Sequence, residues 1–403
     1  MYYTAMYQAM NPFHYGDLAL DEAFTDREDE VAELQADMRN GQNVVVFAPR
    51  RYGKSSLVLR AAENAVGEGV LIGYCDLMTT PTKERFAAAL AKTIHEDLSS
   101  AGGQMLERAA ALFRGLRVMP SMEIDPSTGG IRFTFDAARR KRSGDIDDTI
   151  ARLLELPQDV AGERGRRTVL ILDEFQEVVK LDPQFPNLMR SVFQRQPEVG
   201  HVYLGSRRHV LERIFNDRNE PFWRSAKRME IGAIPRPKFA PFIKVRFQST
   251  NKEIEDAAVE RLLNATGGHP YATQELAYAT WERVPEYACA YGDDVEEALV
   301  KVLRSEHNHF ARIWEDATEH QRLLLLALAA APGAPYSRDY QQRHDLESSS
   351  HVQRALSTLL KEELVGQSDD GTYRLIEPFF GDWLQREQQR PRGVREIANG
   401  PTP

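Results

Sequence analysis

The segment that most limits the possible folds of this chain is Ala48-Pro49-Arg50-Arg51-Tyr52-Gly53-Lys54-Ser55. It directly follows an apolar run, Val44–Phe47, and directly precedes a stretch with helical periodicity. This order of strand, loop and helix matches the Walker A pattern of phosphate-binding loops, except that Ala48 stands at the first glycine. Such a loop points backbone N–H groups at one spot before a helix N-terminus, which attracts phosphate. We therefore expect an α/β protein that binds ATP.

Each position of this loop has an expected role. Gly53 lets the backbone approach the phosphates, Lys54 reaches the β- and γ-phosphate oxygens, and the Ser55 hydroxyl ligates Mg²⁺. Ala48 only adds one methyl group where the strand turns. The expected nucleotide-binding residues of the loop are Ala48, Pro49, Arg50, Arg51, Tyr52, Gly53, Lys54, Ser55 and Ser56. The alternative is a chance match within an ordinary strand–loop–helix unit.

A second motif supports the first. The run Thr168–Leu172 reads as a fully buried strand and delivers Asp173 and Glu174 at its carboxyl end, where ligands of open α/β sheets bind. We expect Asp173 to hold Mg²⁺ through water and Glu174 to polarise the attacking water as a general base. The alternative, an acidic pair that caps a helix, is credible for one motif alone but poor for both together.

Five short apolar runs alternate with amphipathic stretches, which predicts a mostly parallel sheet covered by helices. The runs are Asn43–Phe47, Val70–Cys75, Thr168–Leu172, His201–Leu204 and Arg228–Ile231. We interpret Val70–Cys75, which lies between the two motifs along the chain, as typical of P-loop proteins in which an extra strand separates the two motif strands.

Other segments of the first half are predicted from turn and capping residues. Asp26 is expected to cap a helix whose apolar positions recur at helical spacing. An insertion near residues 116–142 alternates apolar and polar residues on both sides of a turn, which predicts a β-hairpin. The basic run Arg139–Arg142 follows it. Such a run is usually a solvated face, and a contact role is the alternative.

From about Phe239 onward the strand pattern stops, and the next three helical patterns predict a small all-helical unit. Helical patterns cover Ile254–Ala265, Tyr271–Trp281 and Val295–Arg304, and then Gln321–Ala331, Ser337–His344 and Ser349–Lys361. The last three precede a short ribbon, which is the order of a winged helix-turn-helix. We expect a P-loop core over residues 1–235, a helical lid over 236–310, a winged helix over 311–387 and a flexible tail over 388–403.

Composition limits the partners and the location of the chain. The net charge of −9 provides no general attraction to nucleic acid or to anionic lipid. No apolar run approaches the roughly 20 residues that span a bilayer, and the start lacks the pattern of a secretion signal. The two cysteines, Cys75 and Cys289, lie far apart, which argues against a disulfide scaffold and favours a cytoplasmic location.

Several motifs together resemble a known family. Asn-Pro-Phe at 11–13, the loop at 48–55, Asp-Glu-Phe-Gln at 173–176, Gly-Ser at 205–206 and Thr-Gly-Gly-His-Pro-Tyr at 266–271 occur in the expected order. They are similar to those of archaeal-type ATPases of the STAND branch of the AAA+ superfamily. The resemblance spans roughly residues 11–385 and implies an AAA+ core, a helical lid, a C-terminal winged helix and ATP as a switch.

The resemblance also implies roles for single residues. Phe24 and Arg27 would pack beside the nucleotide base, Ser206 would contact the γ-phosphate with Arg207 as the alternative, and Pro270 would abut the adenine. His269 is expected to pack or to cap a helix. An arginine finger for a neighbouring subunit is expected at Arg224, with Arg228 and Arg208 as alternatives. Each of these segments also has a purely structural alternative. These are a surface helix for Phe24 and Arg27, a serine at a strand end for Ser206, a turn for Pro270 and a surface arginine for Arg224.

The sequence predicts an ATP- and Mg²⁺-dependent switch that assembles with itself or with an unknown protein, and no membrane association. One alternative is a regulator in which the winged helix reads DNA. Another is a nearly non-hydrolytic scaffold, but a purely structural nucleotide site would not need the water-polarising carboxylate of Glu174. Residues 318–385 carry six Lys or Arg and ten Asp or Glu, a net charge of −4. Since phosphate neutralisation supplies most non-specific DNA affinity, we favour a protein-contact role for this segment.

Overall fold

The computed structural model of the chain describes residues 10–16, 18, 24–98, 120–124, 131–135, 143–346, 349–368 and 370–389. These residues form two compact units. The sheet unit comprises Arg27–Arg50 and Lys54–Gly232. The helical unit comprises the described parts of Met1–Asp26 and Ala233–Pro403 together with Arg51–Gly53.

The sheet unit is built on five parallel strands in the spatial order β2-β5-β6-β1-β7. Every residue of β1, β5 and β6 is buried, as expected for a parallel sheet covered on both faces. The prediction of a parallel α/β core is therefore confirmed. The strands are β1 (Val44–Phe47), β2 (Leu71–Asp76), β5 (Thr168–Asp173), β6 (Val199–Gly205) and β7 (Lys227–Glu230).

The strand that separates the two motif strands is β6, and this corrects our interpretation of Val70–Cys75. The strand β2 lies at the edge of the sheet beside β5, whereas β6 pairs with β5 on one side and with β1 on the other. Position along the chain does not determine spatial order, because a parallel crossover can skip a neighbouring place in the sheet. The carboxyl ends of β1, β6 and β5 consequently lie next to one another.

Helices cover this sheet and connect its strands. They are α1 (Glu28–Asn40), α2 (Lys54–Gly67), α3 (Lys83–Thr93), α4 (Ser143–Arg164), α5 (Val178–Leu181), α6 (Phe185–Phe193) and α7 (Arg208–Asn216). The prediction that Asp26 caps α1 is wrong, since Arg27 occupies the N-cap position with φ 76° and makes no capping bond through its side chain. Asp26 instead forms an ion pair with Lys238 in the helical unit.

A β-hairpin interrupts the alternation of strands and helices. The strands β3 (Pro120–Ile124) and β4 (Ile131–Phe135) pair antiparallel, with Met122 opposite Phe133. The basic run at 139–142 lies outside the described residues.

The helical unit contains the lid helices and the winged helix. The first group is α8 (Arg236–Gln248), α9 (Asp256–Thr266), α10 (Pro270–Arg283), α11 (Gly292–Ser305) and α12 (His307–Asp316). The lid is not purely helical as predicted, because β8 (Glu253–Ile254) and β9 (Cys289–Ala290) form a two-residue parallel pair. Two residues are too short for a strand to show an alternating pattern in the sequence.

The winged helix has the predicted order of three helices and a ribbon. It consists of α13 (Glu319–Ala330), α14 (Arg338–Arg343), α15 (Ser349–Lys361), β10 (Val365–Gln367), β11 (Tyr373–Leu375) and α16 (Pro378–Gln389). The helix α15 buries Val352, Leu356 and Leu359 and exposes Gln353, Arg354, Ser357 and Lys361. His351 stacks on His320 of α13, with ring centroids 4.2 Å apart.

Among the helices that the structure describes, none is both long and apolar enough to cross a membrane.

Candidate active site

The loop after β1 places a buried cation at the start of α2. Lys54 is only 8% exposed, and its ammonium group lies 3.5 Å from the carbonyl oxygen of Ala48. The first turn of α2 contains no acidic side chain of its own, and the positive end of the helix dipole attracts anions. Gly53 has φ +79°, which favours glycine. This end of α2 is therefore suited to an anionic group.

Ser55 and Asp173 meet at the carboxyl end of the sheet. The Ser55 hydroxyl donates a hydrogen bond to Oδ2 of Asp173 over 3.1 Å, and Oδ1 accepts one from the backbone N–H of Glu174 over 2.8 Å. Asp173 is 6% exposed. The two chain segments are far apart in sequence, and the parallel sheet brings their ends together.

The Tyr74 hydroxyl is a third partner of this carboxylate, and sequence reasoning missed it. Tyr74 on β2 donates to Oδ2 of Asp173. Burial raises the pKa of Tyr74 well above its usual range, and the negative charge of Asp173 raises it further, so the phenol keeps its proton and remains a donor. Asp76, which pairs with Asp173 in the β2–β5 register, has its pKa raised by burial and by the charges of Asp173 and Glu174.

These residues fit a magnesium ion that is held mainly by a nucleotide. Mg²⁺ prefers oxygen ligands and usually combines one or two protein groups with phosphate oxygens and water. Ser55 and Asp173 present a hydroxyl and a carboxylate oxygen 3.1 Å apart. In the described part of the chain, no group of three or more His, Cys, Asp or Glu side chains could hold a metal by itself.

Glu174 adopts a backbone conformation that is unusual for a glutamate. Its φ of 52° and ψ of 43° lie in the left-handed region, which non-glycine residues occupy rarely and often at functional sites. Oε2 of Glu174 accepts a hydrogen bond from Ser206 Oγ over 3.1 Å and another from Gln176 Nε2. The side chain is half-buried. Its carboxylate is thus oriented by two donors beside Asp173.

Ser206 lies where the sequence placed it, directly after β6, and is 4% exposed. Since β6 is adjacent to both β5 and β1, Ser206 is brought to the same edge as Ser55 and Glu174. The alternative, Arg207, is the half-buried N-cap residue of α7 and makes no capping bond through its side chain.

Arg27 has internal partners. It is 5% exposed, and its guanidinium group donates to the Gly232 carbonyl over 2.5 Å and pairs with Glu30 over 3.0 Å. These bonds tie the start of α1 to the chain after β7. Phe24 belongs to the helical unit and is half-buried. Their expected place beside a nucleotide base stays a prediction.

The Gly-His-Pro segment starts α10. Pro270 is the first residue of this helix, and Nδ1 of His269 accepts a hydrogen bond from the Ala272 backbone N–H over 3.3 Å. Burial lowers the pKa of His269 to about 4, so the imidazole is neutral at pH 7 and can accept this bond. The role of Pro270 at the adenine stays a prediction.

Three residues of the phosphate loop, Arg51–Gly53, belong to the helical unit, and two of them contact rings at the start of α10. The Tyr52 ring meets the His269 ring edge to face, with centroids 4.5 Å apart. The Arg51 guanidinium lies 4.4 Å above the Tyr271 ring centre, at a backbone φ of 63°. The loop therefore shares contacts with the start of α10.

The three candidate finger arginines differ in their partners. Arg208 and Arg228 both form ion pairs with Glu230, over 3.2 and 3.1 Å. Arg224 is exposed and its guanidinium lies 5.1 Å from the Trp223 ring centre. No ion pair between Arg224 and another described residue is seen, so Arg224 is the most available of the three for a neighbouring molecule.

The fold and this site define the class of protein. A parallel sheet with β6 between the two motif strands, a phosphate-binding loop before α2, a helical segment and a C-terminal winged helix together make an AAA+ P-loop ATPase. A family described as an ATPase domain predominantly from Archaea matches residues 24–276, and a probable winged helix domain matches residues 308–386. The chain belongs to this archaeal-type ATPase family.

A solved structure shows the same fold. A Walker-type ATPase of Pyrococcus abyssi is 17% identical, with 93% of this chain and 99% of that chain covered and a TM-score of 0.62. The Aeropyrum pernix ORC1 protein in complex with DNA is 15% identical, with 94% and 95% covered and a TM-score of 0.45. The second likeness is too distant to carry an argument. No curated protein matches the chain.

Proposed function

We propose that this chain is a Mg²⁺- and ATP-dependent switch of the STAND type that hydrolyses ATP slowly. The observation that carries the proposal is the hydrogen-bonded set of Ser55, Asp173, Glu174 and Ser206 at one edge of the sheet, beside the loop that ends in Lys54. A purely structural nucleotide site would not need a carboxylate in the position of Glu174.

Each residue has a proposed task in hydrolysis. Lys54 and the loop backbone hold the phosphates, Ser55 and Asp173 hold the magnesium ion, and Ser206 contacts the γ-phosphate. When bound, the ion neutralises charge that develops on the phosphate oxygens. Glu174 orients a water molecule and accepts its proton while the water oxygen bonds to the γ-phosphorus and the bond to the bridging oxygen breaks. ADP and phosphate are the products.

Coupling of the nucleotide to the helical unit is the second element of the proposal. It is supported by the contacts of Arg51 with Tyr271 and of Tyr52 with His269. A phosphate that attracts the loop arginine competes with the tyrosine ring for the same cation. We propose that this competition changes the arrangement of the lid and the winged helix between nucleotide states.

We further propose self-assembly in the ATP state, with Arg224 reaching a neighbouring subunit, and a protein partner for the winged helix. The division into a core at 1–235, a lid at 236–310, a winged helix at 311–387 and a tail at 388–403 is part of this proposal. A cytoplasmic location is proposed as well, and the free thiols of Cys75 and Cys289 are consistent with it.

A DNA-binding regulator is the second candidate. One observation favours it: α15 exposes Arg354 and Lys361 on the face opposite its buried residues. The net charge of −4 over 318–385 opposes it.

The variant Glu174→Gln tests the proposal directly. It should bind ATP as tightly as the wild type and lose at least about 10²-fold in kcat, because the amide has the same size but cannot accept the water's proton. Equilibrium binding of ATP and single-turnover hydrolysis would be measured side by side. Hydrolysis at the wild-type rate would show that Glu174 is not the base.

A further inference from the structure

Gln176 contacts the candidate base, Glu174, and is deeply buried. It lies in the short 3₁₀ turn Phe175–Glu177 that follows Glu174, and it is 3% exposed. Its Nε2 donates to Oε2 of Glu174. A carboxylate only accepts hydrogen bonds, so the amide must present its nitrogen to this oxygen.

The other end of this amide has no hydrogen-bond partner in the part of the chain that the structure describes. Oε1 of Gln176 is buried and accepts no hydrogen bond from the described residues. An unsatisfied buried acceptor costs about 1–3 kcal/mol. What sets Gln176 apart from other buried glutamines is the partner of its donor end, which is the candidate base Glu174.

Gly205 provides the space for this side chain. A Cβ atom built at Gly205 would collide with Oε1 of Gln176 and would lie 2.7 Å from Leu211 Cδ1. The φ angle of Gly205 is not positive, so glycine is needed here for space and not for backbone conformation. Gly205 precedes Ser206, and both therefore act on the surroundings of Glu174.

The two donors to Glu174 use the same oxygen. Gln176 and Ser206 both bond Oε2, while Oε1 accepts no hydrogen bond from a described residue. Both donors on one oxygen fix the plane of the carboxylate and leave Oε1 for water. If Ser206 turns towards a phosphate, Gln176 still holds the carboxylate.

We propose that Gln176, in the space left by Gly205, is the positioning residue that orients the Glu174 carboxylate towards the attacking water. This inference rests on the proposed ATPase function and adds a residue pair to it. Orientation of a catalytic group changes the rate of the chemical step, whereas ATP binding depends on the loop and Lys54.

The test compares Gln176→Met and Gly205→Ala in the full-length protein. Both variants should lower kcat by about 10-fold or more and leave the dissociation constant of a slowly hydrolysed ATP analogue unchanged. The double variant should be no slower than the slower single variant, because both changes remove the same contact.

Gln196 offers a matched control. It is also buried, donates through Nε2 to the Leu154 carbonyl, and has a buried Oε1 that lacks a partner among the described residues. Gln196→Met should change the melting temperature but not kcat. If Gln176→Met does not fold, kcat and analogue binding of Gly205→Ala test the inference by themselves.

The inference would be overturned if kcat of Gln176→Met were unchanged, or if the effects of the two changes on kcat multiplied in the double variant. In either case, hydrolysis by the wild type would still support the proposed function. An equal loss in analogue binding and kcat would assign Gln176 to binding instead. A wild-type protein that neither binds nor hydrolyses ATP would refute both.

Discussion

Glu275 should make the stability of the helical unit depend on pH. This residue of α10 is 5% exposed. Its pKa is raised from 4.5 to about 7, mainly by burial and then by the carboxylate of Glu306; the positive charge of Arg51 opposes this rise, and Glu377 adds a smaller one. Below pH 4.5 the group is protonated in both the folded and the unfolded state, so it imposes no penalty there.

The sign and size of the effect follow from this difference. Between pH 4.5 and about 7 the unfolded chain releases the proton while the folded chain keeps it, so stability falls as the pH rises. One pKa unit corresponds to about 1.4 kcal/mol, so the full penalty is about 3 kcal/mol above pH 7. At pH 5 it is only about 1 kcal/mol.

The variant Glu275→Gln removes the ionisable group and nearly preserves the volume. It should melt at the wild-type temperature or slightly above it at pH 5 and several degrees higher at pH 8, since roughly 2–4 °C corresponds to 1 kcal/mol in a unit of this size. Differential scanning calorimetry at pH 5 and at pH 8 measures these melting temperatures.

The control is Glu282→Gln on the same helix, where the native carboxylate pairs with Lys301 over 2.8 Å. The melting temperature of this variant, relative to the wild type, should not increase with pH. An equal difference for Glu275→Gln at pH 5 and pH 8, or destabilisation at pH 8, would refute the assigned charge state of Glu275.

Three further outcomes are expected. Lys54→Ala should abolish high-affinity ATP binding, because the variant lacks the ammonium group that neutralises the β- and γ-phosphate oxygens; tight binding by a folded variant in calorimetry would contradict the site. Arg224→Ala should lower turnover only at concentrations where subunits meet, so wild-type activity per subunit should rise with concentration and that of the variant should stay flat. Mixed-sequence duplex DNA should bind the full-length protein weakly at moderate salt; sub-micromolar, salt-sensitive binding that Arg354→Ala removes would establish the regulator alternative.

The phosphate loop and the acidic motif were predictable because their information is local. A loop between an apolar run and a helix must present its backbone N–H groups in one direction, and the strand Thr168–Asp173 must end where ligands reach the sheet. The winged helix was also predictable from local information, because the helical spacing of its apolar residues and its turn residues are visible over residues 319–376. The sequence therefore predicts Lys54, Ser55, Asp173 and Glu174 as site residues, and the structure brings Ser55 and Glu174 into hydrogen-bond contact with Asp173.

The partners of these residues were not predictable. Tyr74 lies on an edge strand that the sequence interpretation had placed between the motif strands, and Gln176 appeared only as the last letter of a motif. Their hydrogen bonds to Asp173 and Glu174 depend on side-chain directions across neighbouring strands. Sequence spacing contains no such directions.

By itself, the sequence determined the five strands of the parallel sheet, the order of elements in the winged helix and the side chains that follow the motif strands, because periodicity, apolar content and turn residues act over a few positions. Only the tertiary structure decided that β6 lies between β5 and β1, which brings Ser206 to Glu174. Strand order results from how crossover helices pack on the two faces of the sheet, and that packing free energy is summed over contacts distant in the chain.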